Sequence, residues 1–315
     1  MHPALSVIFF TTLSGAGYGL LAWAAVAALT GQAPARPLLA AVVLALVLST
    51  LGLVSSLFHL GKPARAWRAF SQWRTSWLSR EGVASLATAA VAVALFAALL
   101  PGMLDAMALG ASPQLGGVGL AVALLAVACA IGTVYCTAMI YASLKPIPAW
   151  RHPAVPIVYL LFAAFTGGVL FRALLRAFDA QAGVLPVPLV SLAVLLALLK
   201  VVYWRAIDRA PLPATRGDAV GLPQRRVEVF ERPHTEANYL TREMAFVVAR
   251  RHARLLRALA LLLFAVVPVL LLLTLLAGRG SPALWWLAVV AAVAGTFLER
   301  WLFFAEAKHL VSLYY

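Results

Sequence analysis

Apolar runs long enough to cross a bilayer recur along this chain and are separated by short polar stretches. A hydrocarbon core about 30 Å thick takes roughly 20 residues of helix. By that measure the pattern predicts eight spans, near residues 4–29, 38–60, 82–100, 117–143, 154–177, 184–204, 255–277 and 283–305. The expected fold is all-α: a polytopic integral membrane protein, 1–315 forming a single membrane domain, with a bundle of eight transmembrane helices and one long cytoplasmic loop at 205–254. An even number of crossings puts both termini on one side.

Lysine and arginine in the connecting segments decide which side. Lys62, Arg65, Arg68, Arg74 and Arg80 follow the second span, Lys145 and Arg151 the fourth, and eleven arginines from Arg205 to Arg257 the sixth. The opposite segments carry Arg36, none between Pro101 and Gly116, the pair Arg172 and Arg176, and Arg279. This bias places both termini in the cytoplasm of a bacterial cell, with the chain in its cytoplasmic (inner) membrane. Composition agrees: 63% of the residues are apolar and 11% charged, against roughly 45–50% and 25% in a soluble domain. The mean hydropathy is +0.94. The net charge of +14 is what topology predicts of such loops, so membrane lipid and not nucleic acid is the expected surroundings. The first apolar run lacks a basic segment before it and a cleavage site after it, and reads as a retained span.

Several stretches interrupt the apolar pattern. Gly15-x-x-x-Gly19 in the first span is a ridge of small residues for close helix approach. Lys145-Pro146-Ile147-Pro148-Ala149-Trp150-Arg151-His152-Pro153 predicts a rigid turn with a tryptophan anchor at the interface. Arg172 and Arg176 read as snorkelling residues. The polar stretch from Asp208 to about His252 predicts a loop with a short helix from about Thr235 to Arg257, suited to docking a partner or to lying on anionic lipid. Glu299 lies within the last span, where ionisable groups are costly and face a bundle interior, so it is a functional candidate or half of a structural Glu299–Arg pair.

The densest chemistry lies between Leu57 and Glu81. His59 ends one apolar helix, Gly61-x-Pro63 breaks it, a basic loop with Trp67, Trp73 and Trp77 follows, and Glu81 stands beside the start of the next helix. Two titratable groups therefore flank one membrane–water boundary. Cys129 and Cys136 cannot hold an iron–sulfur cluster, which needs about four thiolates, and no metal-ligand spacing is present. None of the six histidines, His2, His59, His152, His234, His252 and His309, sits near the middle of a span, so no haem is expected. What the chain can hold is a quinone. Its redox chemistry moves two protons, for which His59 is a hydrogen-bonding base near neutral pH and Glu81 a relay, with the tryptophans as an apolar mouth or as plain membrane anchors.

The run His59-Leu60-Gly61-Lys62-Pro63-x-Arg65-Ala66, with Ser76-x-Leu78-Ser79-Arg80-Glu81 after it, resembles the membrane-anchor subunits of dimethyl sulfoxide reductase-type complexes, the DmsC family. The eight-span layout, Pro148-Ala149-Trp150, Thr166-Gly167-Gly168 and the segment from Glu299-Arg300 to Phe304 are also similar to that family. The resemblance implies a subunit that exchanges electrons between an exchangeable quinone or menaquinone and an iron–sulfur partner subunit, with a molybdopterin partner doing the substrate chemistry. It implies no molybdopterin or iron–sulfur cluster in this chain. His59 would serve menaquinol oxidation and Glu81 its protons, so the candidate catalytic pair is His59 and Glu81. The candidate quinone contacts are His59, Gly61, Pro63, Arg65, Trp77, Glu81 and Glu299. Lys62, Arg65, Arg68 and the 208–252 loop would dock the iron–sulfur subunit. That loop, the N-terminal residues from Met1 to Thr12 and Thr235-Glu236-Ala237-Asn238-Tyr239 look more like the anchors of sulfite-oxidising relatives, where electrons run into quinone. The residues alone leave two alternatives: a structural anchor without quinone chemistry, and a secondary transporter. A transporter would show repeats and midplane helix breaks, whereas here the breaks lie at span ends.

Overall fold

The computed structural model describes residues 4–104, 115–180, 186–231, 236, 248–279 and 281–313. Leucine, alanine and valine dominate the long segments, and in lipid a backbone must satisfy its own hydrogen bonds, which helices do. The long helices are α1 (Leu5–Leu29), α2 (Ala35–Ser56), α3 (Trp77–Leu104), α4 (Gly117–Ala142), α5 (Ala154–Ala177), α6 (Pro186–Arg209), α7 (Ala253–Leu276) and α8 (Ala283–Ala305). All eight are long and apolar enough to cross a membrane, and no strand occurs among the described residues. In α7 a π-helical turn, Leu262–Val266, precedes Pro268, whose missing N–H and ring disturb the helix one turn earlier.

The bundle is organised around α1 and α5, which bury most of their surface. Helix α1 packs against α2, α4, α5 and α8; α3 lies on α4 and α2; α6 joins α5 to α7. Small residues set the central contact. A Cβ on Gly19 would overlap the Ala163 carbonyl, and one on Gly167 would overlap the backbone at Gly19. Gly17 faces α2, 2.8 Å from the Ala45 carbonyl oxygen for a Cβ built there. Gly15 departs from the expected ridge, because a Cβ there would meet nothing within 4 Å. Replacing Gly167 with alanine is expected to force α1 and α5 apart and to cost at least the ~1–3 kcal/mol usual for overpacking, read as a lower thermal midpoint in detergent.

Two polar features differ from expectation. Trp150 is no interface anchor: it is buried, its Nε1 donates to the Phe303 carbonyl at 3.0 Å, and Tyr203 Oη donates to the Ala149 carbonyl at 2.9 Å. The proline-rich turn is thereby clamped onto the ends of α6 and α8. Arg172 does not snorkel, because α5 is central and has little lipid face to follow. Its guanidinium lies 5.0 Å from the Trp285 ring centroid with the side chain buried. At the same end as the proline turn, Arg257 ties three helices together, bonding Asp208 of α6 at 2.6 Å and Glu306, just after α8, at 2.9 Å.

In the polar loop, Thr215 and Asp218 form a capping box for the turn Arg216–Ala219, and Arg216 Nε reaches the Leu313 carbonyl at 3.1 Å. The helix expected from Thr235 to Arg257 lies largely outside the described residues; its described end is helical over Val248–Arg251 and from Ala253 onward.

Candidate functional site

Helix α2 closes in a 3₁₀ turn, Leu57–His59, after which Leu60 is extended. Lys62, the residue before Pro63, sits at φ −141° and ψ 77°, outside the α region that the proline ring disfavours for its predecessor. Pro63 opens a second 3₁₀ segment, Pro63–Phe70, and the chain turns into α3 at Trp77. The two 3₁₀ segments touch each other and the ends of α1, α2 and α3, forming a lid over the bundle's edge. Beneath it lies a cavity of about 1050 Å³, ample for a drug-sized ring with part of a tail.

The cavity brings together His59, Gly61, Arg65 and Glu81 from the sequence-predicted set. Helix α3 begins earlier than the apolar run suggests, so Glu81 sits a turn inside it and is only 4% exposed. Its Oε1 has no hydrogen-bond partner among the described residues, and the Thr137 hydroxyl of α4 faces the carboxyl group. The Ser85 hydroxyl donates to the Glu81 backbone carbonyl. His59 stands at the exposed rim, and the lid's exposed cations Lys62, Arg65 and Arg68 line the cavity mouth beside it. A side chain at Gly61 would meet nothing within 4 Å, so its lack of one leaves the rim open.

Other expected members lie elsewhere. Pro63 shapes the lid without lining the cavity. Trp77 packs edge-on to Tyr135 at 5.9 Å and carries the Arg80 guanidinium at 4.4 Å. Of the three tryptophans only Trp67 lines the cavity. Glu299 is fully buried in a cluster of its own, with Lys200 Nζ 2.6 Å from Oε1 and Arg300 Nε 3.0 Å from Oε2. His309 does not reach the His59 region's chemistry by its Nδ1, which accepts the Val311 amide at 3.0 Å. Burial holds the His309 imidazole below its ordinary pKa, as it does His152, whose Nδ1 accepts the Ala154 amide.

The cavity's inner wall comes from residues that the sequence did not single out for it. Tyr141 meets Trp150 at 5.5 Å and Phe304 at 5.1 Å, all edge-on, and all three line the cavity. Their common signal is position: each lies at the end of a span on the side that carries His59. Lys200, in the apolar run of α6, was equally visible as a charge at membrane depth. The geometry suits a flat, largely apolar molecule whose polar oxygens meet an imidazole at the rim and a buried carboxyl group inside.

A multi-pass membrane protein with a lipid-edge cavity and a basic, lidded face has the build of a membrane subunit that works with partners in water. The chain belongs to the DMSO reductase anchor subunit (DmsC) family, whose model matches residues 1–305. It is 35% identical to a sulfite dehydrogenase subunit of Allochromatium vinosum, over an alignment of 335 positions that covers 100% of this chain and 99% of that protein. It is thus a membrane-anchor subunit of an oxidoreductase complex.

Proposed function

We propose that this anchor exchanges electrons between the membrane quinone pool and an iron–sulfur partner subunit, and that the lidded cavity is its quinone site. The observation that carries the reading is Glu81: a carboxyl group with an unpaired oxygen, buried in an apolar cavity that also holds an imidazole. Buried polar groups without partners are rare and mark places where something else must supply the partner. A quinone held there would need two electrons, from the partner's cluster, and two protons to become quinol. Glu81 would supply one of those protons from its carboxyl oxygen, and His59, hydrogen-bonding the ring oxygen at the rim by its N–H, would deliver the other and recover it from water. Trp67, Tyr141 and Phe304 exclude water around the ring, and the exposed lid cations receive the partner subunit by charge.

The full-length relationship to a sulfite dehydrogenase subunit favours sulfite oxidation by a molybdopterin partner, with electrons passing into quinone. The basic segments then lie in the cytoplasm and the chain in the inner membrane. Quenching of tryptophan fluorescence by a quinone analogue, in membranes holding the whole complex, tests the site. The wild-type complex is expected to bind, and His59→Ala to weaken binding at least tenfold with assembly intact. Unchanged binding in His59→Ala would move the site elsewhere, and no binding to the wild type would leave a purely structural anchor.

A further inference from the structure

Behind Glu81, away from the lid, α1, α4, α5 and α8 enclose a small polar cavity whose lining includes Thr12, Tyr18, Thr137, Tyr159, Thr166 and Arg300. It offers about 10 Å³ to a water's centre, close to the minimum for one water molecule. Thr12 Oγ1, Tyr18 Oη, Tyr159 Oη and both Nη atoms of Arg300 are buried and make no hydrogen bond of good geometry among the described residues, although Tyr159 faces Arg300 and Tyr18 faces Ser85. Every one of these side chains is more than nine-tenths buried. So many unpaired polar atoms around one small space fit a water bound to them, since a buried water commonly makes about three hydrogen bonds.

The cavity is joined to the quinone site of the proposed function at two points. Thr137 lines it and faces Glu81, and Tyr18 lines it and stands beside Ser85 and Glu81. At its other side, Arg300 Nε holds Glu299, which also holds Lys200. Those three ionised side chains sum to one positive charge, so the cluster can release one proton and become neutral.

We infer that the cavity holds water through which Glu81 exchanges protons from behind, by way of Tyr18, with the Lys200–Glu299–Arg300 cluster as the store. The inference rests on the quinone reading of the lidded cavity. A ring seated there lies over the cavity side of Glu81, so a proton that Glu81 has given up is replaced from the other side. In the step, Lys200 Nζ gives a proton toward the cavity water by way of Tyr159, which lines both the gap beside Lys200 and the polar cavity, and Tyr18 hands one on to the Glu81 carboxylate. Electrons for the quinone come from the partner's iron–sulfur cluster, and no bond other than those to the moving protons changes. Arg300 is a positioning residue that holds the water and keeps its own proton.

Infrared spectroscopy of the complex, with the quinone analogue bound and at a pH that protonates Glu81, tests this. The carboxyl C=O band that Glu81→Gln removes is followed after transfer to deuterated buffer. Exchange is expected to persist in the wild type and to slow at least tenfold in Tyr18→Phe and Thr12→Val, while Thr12→Ser, which keeps the hydroxyl, exchanges like the wild type. Analogue affinity within about twofold in all of them shows that the front site is intact. Wild-type rates in both Tyr18→Phe and Thr12→Val, with the analogue bound, would overturn the internal route and leave the quinone site standing. Failure of the wild-type complex to bind the analogue would overturn the quinone reading and the route with it.

Discussion

Glu299→Gln is expected to be among the most damaging single changes in this chain. The wild-type cluster holds two cations and one anion at membrane depth, all three residues no more than 1% exposed, with Glu299 contacting both cations. Removing the carboxylate leaves Lys200 and Arg300 facing each other with two positive charges and no counter-charge. Breaking a buried ion pair by removing one partner costs about 3–5 kcal/mol, a large share of the marginal stability of a folded domain. The expected result is little assembled protein in the membrane and a sharply lower thermal midpoint in what remains. Lys200→Met runs the other way: it leaves a neutral Glu299–Arg300 pair, with Arg300 still 3.9 Å from the Tyr159 ring centroid, and should fold close to normally. The two variants together separate structure from site. If Glu299→Gln folded as well as the wild type and instead lost quinone-analogue binding, Glu299 would belong to the quinone site and the cluster would not hold α6 and α8 together.

What the sequence made legible, and what it did not, follows from which force acts on each residue. The eight crossings stand out because lipid imposes a length and a composition on any segment that spans it. His59 and Glu81 could be paired on paper because a single connecting segment, residues 60–76, joins the helices that carry them. The wall behind them could not, since Tyr141, Trp150 and Phe304 come from distant parts of the chain. An aromatic residue at a span end looks the same whether it anchors in headgroups or packs inward, and Trp150 took the inward course. Arg172 misled for a related reason. Snorkelling needs a lipid-facing helix, and only the packing order shows that α5 has little such face. Lys200 sits in an apolar run and was legible by the rule applied to Glu299, but tallying charges by loop passes over a charge inside a span. The polar cavity is a property of gaps between α1, α4, α5 and α8, and Gly15 carries the same letter as the close-packed Gly19 while lining that cavity.

Glu81→Gln is expected to lower quinone-linked turnover by about 10²–10⁴-fold, the range for loss of a positioned proton donor or acceptor. The change keeps the length and nearly the shape of the side chain. It removes the one property that the reaction uses, the ability to give up and regain a proton. Glutamine can still hydrogen-bond a ring oxygen through its amide, so analogue affinity should move by no more than a few-fold. Stability should hold too, because the carboxyl group makes no ion pair and its Oε1 no hydrogen bond among the described residues. His59→Ala differs: it removes a rim contact and should act chiefly on binding, through KM more than kcat. The split between the two variants is therefore the informative quantity, measured as steady-state kcat and KM for quinone in the assembled complex. Loss of both binding and assembly in Glu81→Gln would make Glu81 a structural residue. Full turnover in Glu81→Gln would show that protons reach the quinone through His59 or water at the rim alone, and the buried carboxyl group with its polar cavity would then play no part in the chemistry.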